Sequence, residues 1–222
     1  MGFVSDLTQR FEVLAHTENA TAMAAYMKDR FQFLGIKAPQ RKAGLKEVIQ
    51  LHKAKLDRKS ILAITKTLYK LPYREYHYCA VELVTRFVKG KFEREDIGCI
   101  EFLIVTHSWW DSVDMICKHH LGSYLLQFPD QVAPIIQRYS DADHLWLNRS
   151  AILFQLEYKS QTNADLLFAL CAIHKNSTAF FIKKAIGWAL RTYSKTDPEA
   201  VQQFVAKHTL SPLSKKEALR LV

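Results

Sequence analysis

Glycine and proline are scarce in this chain, at seven and six of 222 residues. A strand-rich domain spends these residues on many tight turns, so their scarcity argues against an all-β fold. Cysteine is scarcer still. Cys79, Cys99, Cys117 and Cys171 stand far apart, which excludes a CxxC zinc pattern and a dense disulfide framework and suits a reducing compartment. No apolar run approaches the ~20 residues that a membrane-spanning helix requires, and the amino terminus lacks the basic and apolar regions of a signal peptide. A soluble cytoplasmic protein with no membrane contact is expected.

The motifs of several enzyme classes are missing as well. There is no GxGxxG and no GxxxxGK[ST] to cradle a nucleotide, no HExxH to hold zinc, and no GxSxG elbow to present a serine nucleophile. Nine histidines are present, but His119 and His120 are adjacent and diverge on a helix, so no ligand-spaced cluster forms. Neither a metal nor an organic cofactor is expected.

What is abundant is material for a helical core. Hydrophobic residues make up 49% of the chain and aromatics 12%, enough to bury a sizeable interior and to exclude disorder. Apolar residues recur at helical spacing almost throughout. Thr17-Glu18 opens a helix carrying Ala22, Tyr26, Met27 and Phe31 to a stop at Gly35, and Pro39 opens the next. Asp57 caps another, and Pro72 starts one through Tyr76, Cys79 and Leu83. Asp130, Asp143 or its neighbour, Ser177 and Asp197-Pro198 mark later starts, and Ser214 with Glu217 has capping-box spacing. The β-rich run 100–105 lacks turn signals at its flanks, and its helical neighbours make it a helix.

These signals predict an all-α chain of about ten to twelve helices. Helices arriving roughly every 18–20 residues form pairs near the ~40-residue period of HEAT and armadillo units. A curved α-α superhelix of HEAT-like repeats follows, as a single domain over residues 1–222 with no linker inside it.

Charge is unevenly spread. The net charge is +9, yet residues 28–94 hold 17 Lys or Arg against 6 acids, a surplus of +11 that leaves −2 elsewhere. One basic surface for a polyanion is the natural reading, with nucleic acid as the commonest such partner.

The densest chemical signal is Ser108–Asp114, which reads Ser-Trp-Trp-Asp-Ser-Val-Asp. Trp110 and Asp114 are four apart, so on a helix an indole and a carboxylate share one face. Together they suit a planar cation, although a tryptophan pair is more often core. Arg149 interrupts the apolar run 146–154, where a buried arginine paired with a carboxylate is the commoner outcome. Trp188 follows Gly187, which permits close approach of a helix or a ligand. Tyr26 is a possible fifth member of this set.

The segments Ala24–Lys28, Phe33–Lys42, Ser108–Asp114, Trp146–Leu156 and Lys184–Arg191 resemble, in the same order, the DNA alkylation repair family of HEAT-like DNA glycosylases. The resemblance runs from about residue 10 to about residue 220. It implies a monofunctional enzyme that hydrolyses the N-glycosidic bond of cationic alkylated purines, chiefly 7-alkylguanine and 3-methyladenine, in duplex DNA and without a deep base pocket. By motif position it makes Asp114 the catalytic carboxylate, Arg149 a DNA-contacting arginine, and Trp110 and Trp188 an aromatic pair. Lys37, Arg41, Lys42 and Lys46 become candidates for the duplex backbone. Asn148 departs from the family pattern, which tends to place a second basic residue there. A monomer, nucleoid-associated when bound to DNA, is expected. Two other readings use the same features: a catalytically silent binder of damaged or branched DNA, and a helical-repeat scaffold for proteins.

Overall fold

The computed structural model describes residues 2–222. Two compact units divide the chain, one ending at Lys91 and the other running from Phe92 to Val222. Among the described residues there is no strand, only an isolated bridge between Gln32 and Tyr73.

The first unit holds α1 (Phe3–Leu14), α2 (Thr17–Tyr26), α3 (Ala38–His52), α4 (Arg58–Tyr69) and α5 (Arg74–Phe87). α1 shows how the pattern becomes structure. Phe3, Leu7 and Phe11 lie four apart on one stripe and are buried, with Phe11 stacked on Tyr76 of α5 at 5.6 Å between centroids. Each such side chain contributes roughly 1.5–3 kcal/mol by leaving water. Asp57 caps α4 as expected, its carboxylate accepting from the Ser60 amide while Ser60 Oγ accepts from the Asp57 amide.

α2 ends earlier than its apolar spacing suggested. It stops at Tyr26, because Lys28 and Asp29 both turn left-handed at φ 56, and the chain then runs irregularly to Gly35. That stretch is tied down by Glu75, a fully buried carboxylate that accepts from the amides of Leu34, Gly35 and Ile36 at 2.9–3.1 Å. Backbone groups that no helix or sheet satisfies are satisfied by one side chain.

The second unit holds α6 (Ile97–Val105), α7 (Trp110–Ile116), α8 (Gly122–Gln127), α9 (Val132–Asp141), α10 (Leu145–Leu153), α11 (Ala164–His174), α12 (Phe180–Tyr193), α13 (Pro198–Lys207) and α14 (Pro212–Ala218). The run 100–105 is helical, inside α6. α7 continues into α8 through a π turn over Cys117–Leu121, so the described residues form thirteen separate helices, slightly more than the ten to twelve expected. The cap of α14 also differs from expectation: Ser211 is its N-cap and accepts from the Ser214 amide, with Pro212 at the first helical position.

α10 is the central element. Seven of its nine residues are buried, Arg149 among them, and it packs against α6, α7, α9, α11 and α12. A charged group in such a helix has to find its counter-charge inside the protein. Asn148 beside it faces α9, where its Nδ2 donates to the carbonyls of Tyr139, Ser140 and Ala142 at 2.9–3.0 Å. This side chain thus closes the end of a helix.

Candidate active site

The site is assembled from four helices of the second unit. Trp109, the N-cap of α7, is extended at φ −157, ψ 159, and this break sends two adjacent indoles to different places. Trp109 is 7% exposed and packs on Trp146 and Phe181, with centroids 5.7 and 5.0 Å away. Trp110 begins the helix and stays half-buried. Of the tryptophan pair, one is core and the other lines a cleft.

That cleft has a volume of about 310 Å³. Trp110 and Asp114 reach it from α7, one turn apart as their spacing predicted. Arg149 enters from α10, and Phe180, Phe181, Lys184, Trp188 and Arg191 from α12. Glu217 enters from α14. A larger cavity of about 530 Å³ is lined by Gln155, Lys159 and Tyr193 among others, and contains none of the residues singled out in the sequence.

Asp114 and Arg149 form a two-point ion pair. Arg149 Nε donates to Asp114 Oδ1 at 2.8 Å and Nη2 to Oδ2 at 2.9 Å, while Nη1 donates to the Phe181 carbonyl. The side chains are 15% and 5% exposed. Burial pushes the Asp114 carboxyl above the ordinary aspartate value, and the hydrogen bonds and charge of Arg149 pull it part of the way back. Folded Asp114 therefore keeps its proton to a higher pH than the unfolded chain does. Its contribution to stability falls as pH rises between those two values and is constant above them.

Behind the pair, Cys117 Sγ donates to Ser150 Oγ at 3.0 Å and Ser150 Oγ to the Trp146 carbonyl at 2.7 Å, which ties the π turn after α7 to α10. Gly122, at the start of α8, lets that helix approach the C-terminal end of α10. A Cβ there would sit 2.4 Å from the Phe154 carbonyl oxygen.

Gly187 plays the equivalent part between α12 and α14. A Cβ on it would meet Glu217 Cβ at 2.5 Å and the Ser214 carbonyl oxygen at 3.0 Å. The glycine before Trp188 thus admits a helix, and that helix carries Glu217 into the cleft. There Glu217 Oε1 meets Lys184 Nζ at 3.1 Å and Oε2 accepts from Arg191 Nη1 at 2.7 Å. Gly187→Ala is expected to lower stability by roughly 1–3 kcal/mol in denaturant melts, because neither neighbour is the free end of a flexible chain.

The sequence reading missed Lys184, Arg191 and Glu217. Lys184 and Arg191 flank Trp188 at helical spacing, so their common face was legible. Glu217 was not, because its arrival depends on how closely α14 packs at Gly187.

The other expected residues lie in the first unit. Tyr26, 71% exposed at the end of α2, lines a separate groove of about 350 Å³ with Lys37, Phe33 and Tyr78. Arg41 lies over the Tyr78 ring, 4.6 Å from its centroid. Lys37, Lys42 and Lys46 are exposed at the start of and along α3. The basic window 28–94 falls almost entirely in this unit.

The family model of the DNA alkylation repair enzyme matches residues 7–222. The chain belongs to that family. Membership gives it a role in the repair of alkylation damage, with DNA as its partner. A solved structure described as a predicted DNA alkylation repair enzyme from Enterococcus faecalis is 33% identical, with a TM-score of 0.86 over 94% of this chain and 96% of that one. The structure of smu.31 from Streptococcus mutans UA159 shares the fold at 19% identity, with a TM-score of 0.62 over 83% of this chain and 96% of that one. No curated protein matches this member of the DNA alkylation repair family.

Proposed function

We propose that this protein is a monofunctional DNA glycosylase that hydrolyses the N-glycosidic bond of cationic alkylated purines, 7-alkylguanine and 3-methyladenine, in duplex DNA. The observation that carries the reading is a largely buried carboxylate held at two points by Arg149, beside two tryptophans in an open cleft.

Alkylation at N7 or N3 makes the base a cation and a good leaving group, so departure needs little help from a general acid. The developing charge is on the sugar, which becomes oxocarbenium-like as the bond breaks. Asp114 supplies the anion that stabilises it. A carboxylate has about four acceptor positions, and Arg149 takes two of them. The other two serve the sugar and the attacking water, which Asp114 orients and deprotonates. A rigid, preoriented anion loses little energy in reorganising when the charge appears.

Trp110 and Trp188 pack against the lesion's deoxyribose and backbone and hold the sugar against Asp114. Arg149 has about five N–H donors, of which three are engaged, so two remain for a phosphate while it positions Asp114. Tyr26, Lys37, Arg41, Lys42 and Lys46 grip the duplex backbone from the first unit. No lysine is assigned to Schiff-base chemistry, so borohydride should trap no covalent complex.

The deciding experiment is chromatography of bases released from methylated duplex DNA. Appearance of 7-methylguanine and 3-methyladenine supports the reading, and tight binding without release favours a silent binder. Two further outcomes follow. Release should fail on the acid side at a pH above ordinary aspartate titration, because burial raises the group that must be ionised. Arg41→Ala and Lys42→Ala should each reduce the salt dependence of duplex binding by about one unit, with no change in lesion preference.

A further inference from the structure

Lys184, Trp188 and Arg191 follow one another at spacings of four and three along a single face of α12. The cleft they line contains two separate ionic groups. Arg149 and Asp114 close on each other one to one. Glu217 is different, since one carboxylate is shared by two cations, and a positive charge at that point is left without its own counter-charge.

The geometry of the shared group is also informative. Glu217 presents one oxygen to Lys184 and the other to Arg191. Two oxygens on one centre, bridging a lysine and an arginine, is what the non-bridging oxygens of a phosphodiester offer. The cations are 35% and 22% exposed, so another anion can reach them. A partly exposed ion pair shifts an equilibrium by less than about sixfold, so replacing it with a doubly held phosphate is a small step.

We propose that Lys184 and Arg191 form a phosphodiester site for the lesion-bearing strand, and that Glu217 of α14 occupies this site in the free protein as an internal counter-ion. The strand displaces the carboxylate when it enters. Glu217 thereby lowers affinity for DNA in general, and α14 becomes a functional element of the cleft rather than a terminal cap. The inference rests on the reading of this cleft as the place where damaged DNA sits.

The test is equilibrium binding of unmodified and methylated duplexes across a range of potassium chloride concentrations. Lys184→Gln and Arg191→Gln should each reduce the salt slope by about one unit. Glu217→Gln should bind about threefold to sixfold more tightly than the wild type, because the competing anion is gone. Slopes equal to the wild type in both cation variants would overturn the proposal. So would weaker binding by Glu217→Gln at an unchanged melting temperature, since Glu217 would then only hold the cations in place. If Glu217→Gln does not fold, the two slopes decide alone. A wild type that binds duplex but releases no base removes the glycosylase reading and leaves this one standing, whereas absence of DNA affinity removes both.

Discussion

Asp114→Asn is expected to release alkylated purines about 10²–10³-fold more slowly than the wild type while still binding duplex DNA, a loss typical of removing one preorganised group that stabilises developing charge. Asparagine keeps the size and planarity of the side chain, and its carbonyl still accepts one hydrogen bond from Arg149. What it lacks is the negative charge that, in the proposed reaction, faces the sugar and the basicity that would activate water. The measurement is single-turnover release from methylated duplex, alongside binding to the same duplex and a melting curve for each protein. Release at the wild-type rate would remove Asp114 from the chemistry. Equal loss of binding and release would instead make it a structural residue.

Arg149→Met should produce the largest loss of stability of any change in the cleft, roughly 3–5 kcal/mol. Methionine fills similar space but leaves the Asp114 carboxylate buried with no partner, and it frees the Phe181 carbonyl that Nη1 now engages. The carboxyl should respond by moving further above the ordinary aspartate value, because the opposing pull of Arg149 is gone. The acid limb of base release should therefore shift upward in pH. Adding Asp114→Asn to this variant should restore much of the lost stability, since no unpaired ion is then left behind. Additive losses in the double variant would mean that the pair is not energetically coupled. Denaturant unfolding of the four proteins gives the answer directly.

The two experiments separate roles that the ion pair combines. In the proposed reaction Asp114 acts on the reacting atoms and Arg149 mainly holds it, its two remaining donors serving a phosphate. A variant that loses release but not stability and one that loses both would display that division.

Much of this protein was legible in its residues. The helical period, the scarcity of glycine and proline, and the caps at Asp57 and Asp197 determine an all-α chain, because they act through local geometry that neighbouring residues fix. The four-residue step from Trp110 to Asp114 placed both on one face for the same reason. The family resemblance drew on the same segments, and the chain's membership bears it out.

Tertiary packing decided the rest. Composition does not distinguish Trp109 from Trp110, and only the extended backbone at position 109 makes one core and the other cleft. The end of α2 at Tyr26 depended on two left-handed residues, and the irregular path that follows on Glu75, a carboxylate forty positions beyond Gly35, which no local pattern reveals. The partner of Arg149 could be anticipated in kind, because a buried cation needs an anion, but not in identity. Glu217 was the least legible of all. Its place in the cleft follows from the absence of a side chain at Gly187, which lets α14 settle against α12, and a contact between residues thirty positions apart has no signature in the sequence of either.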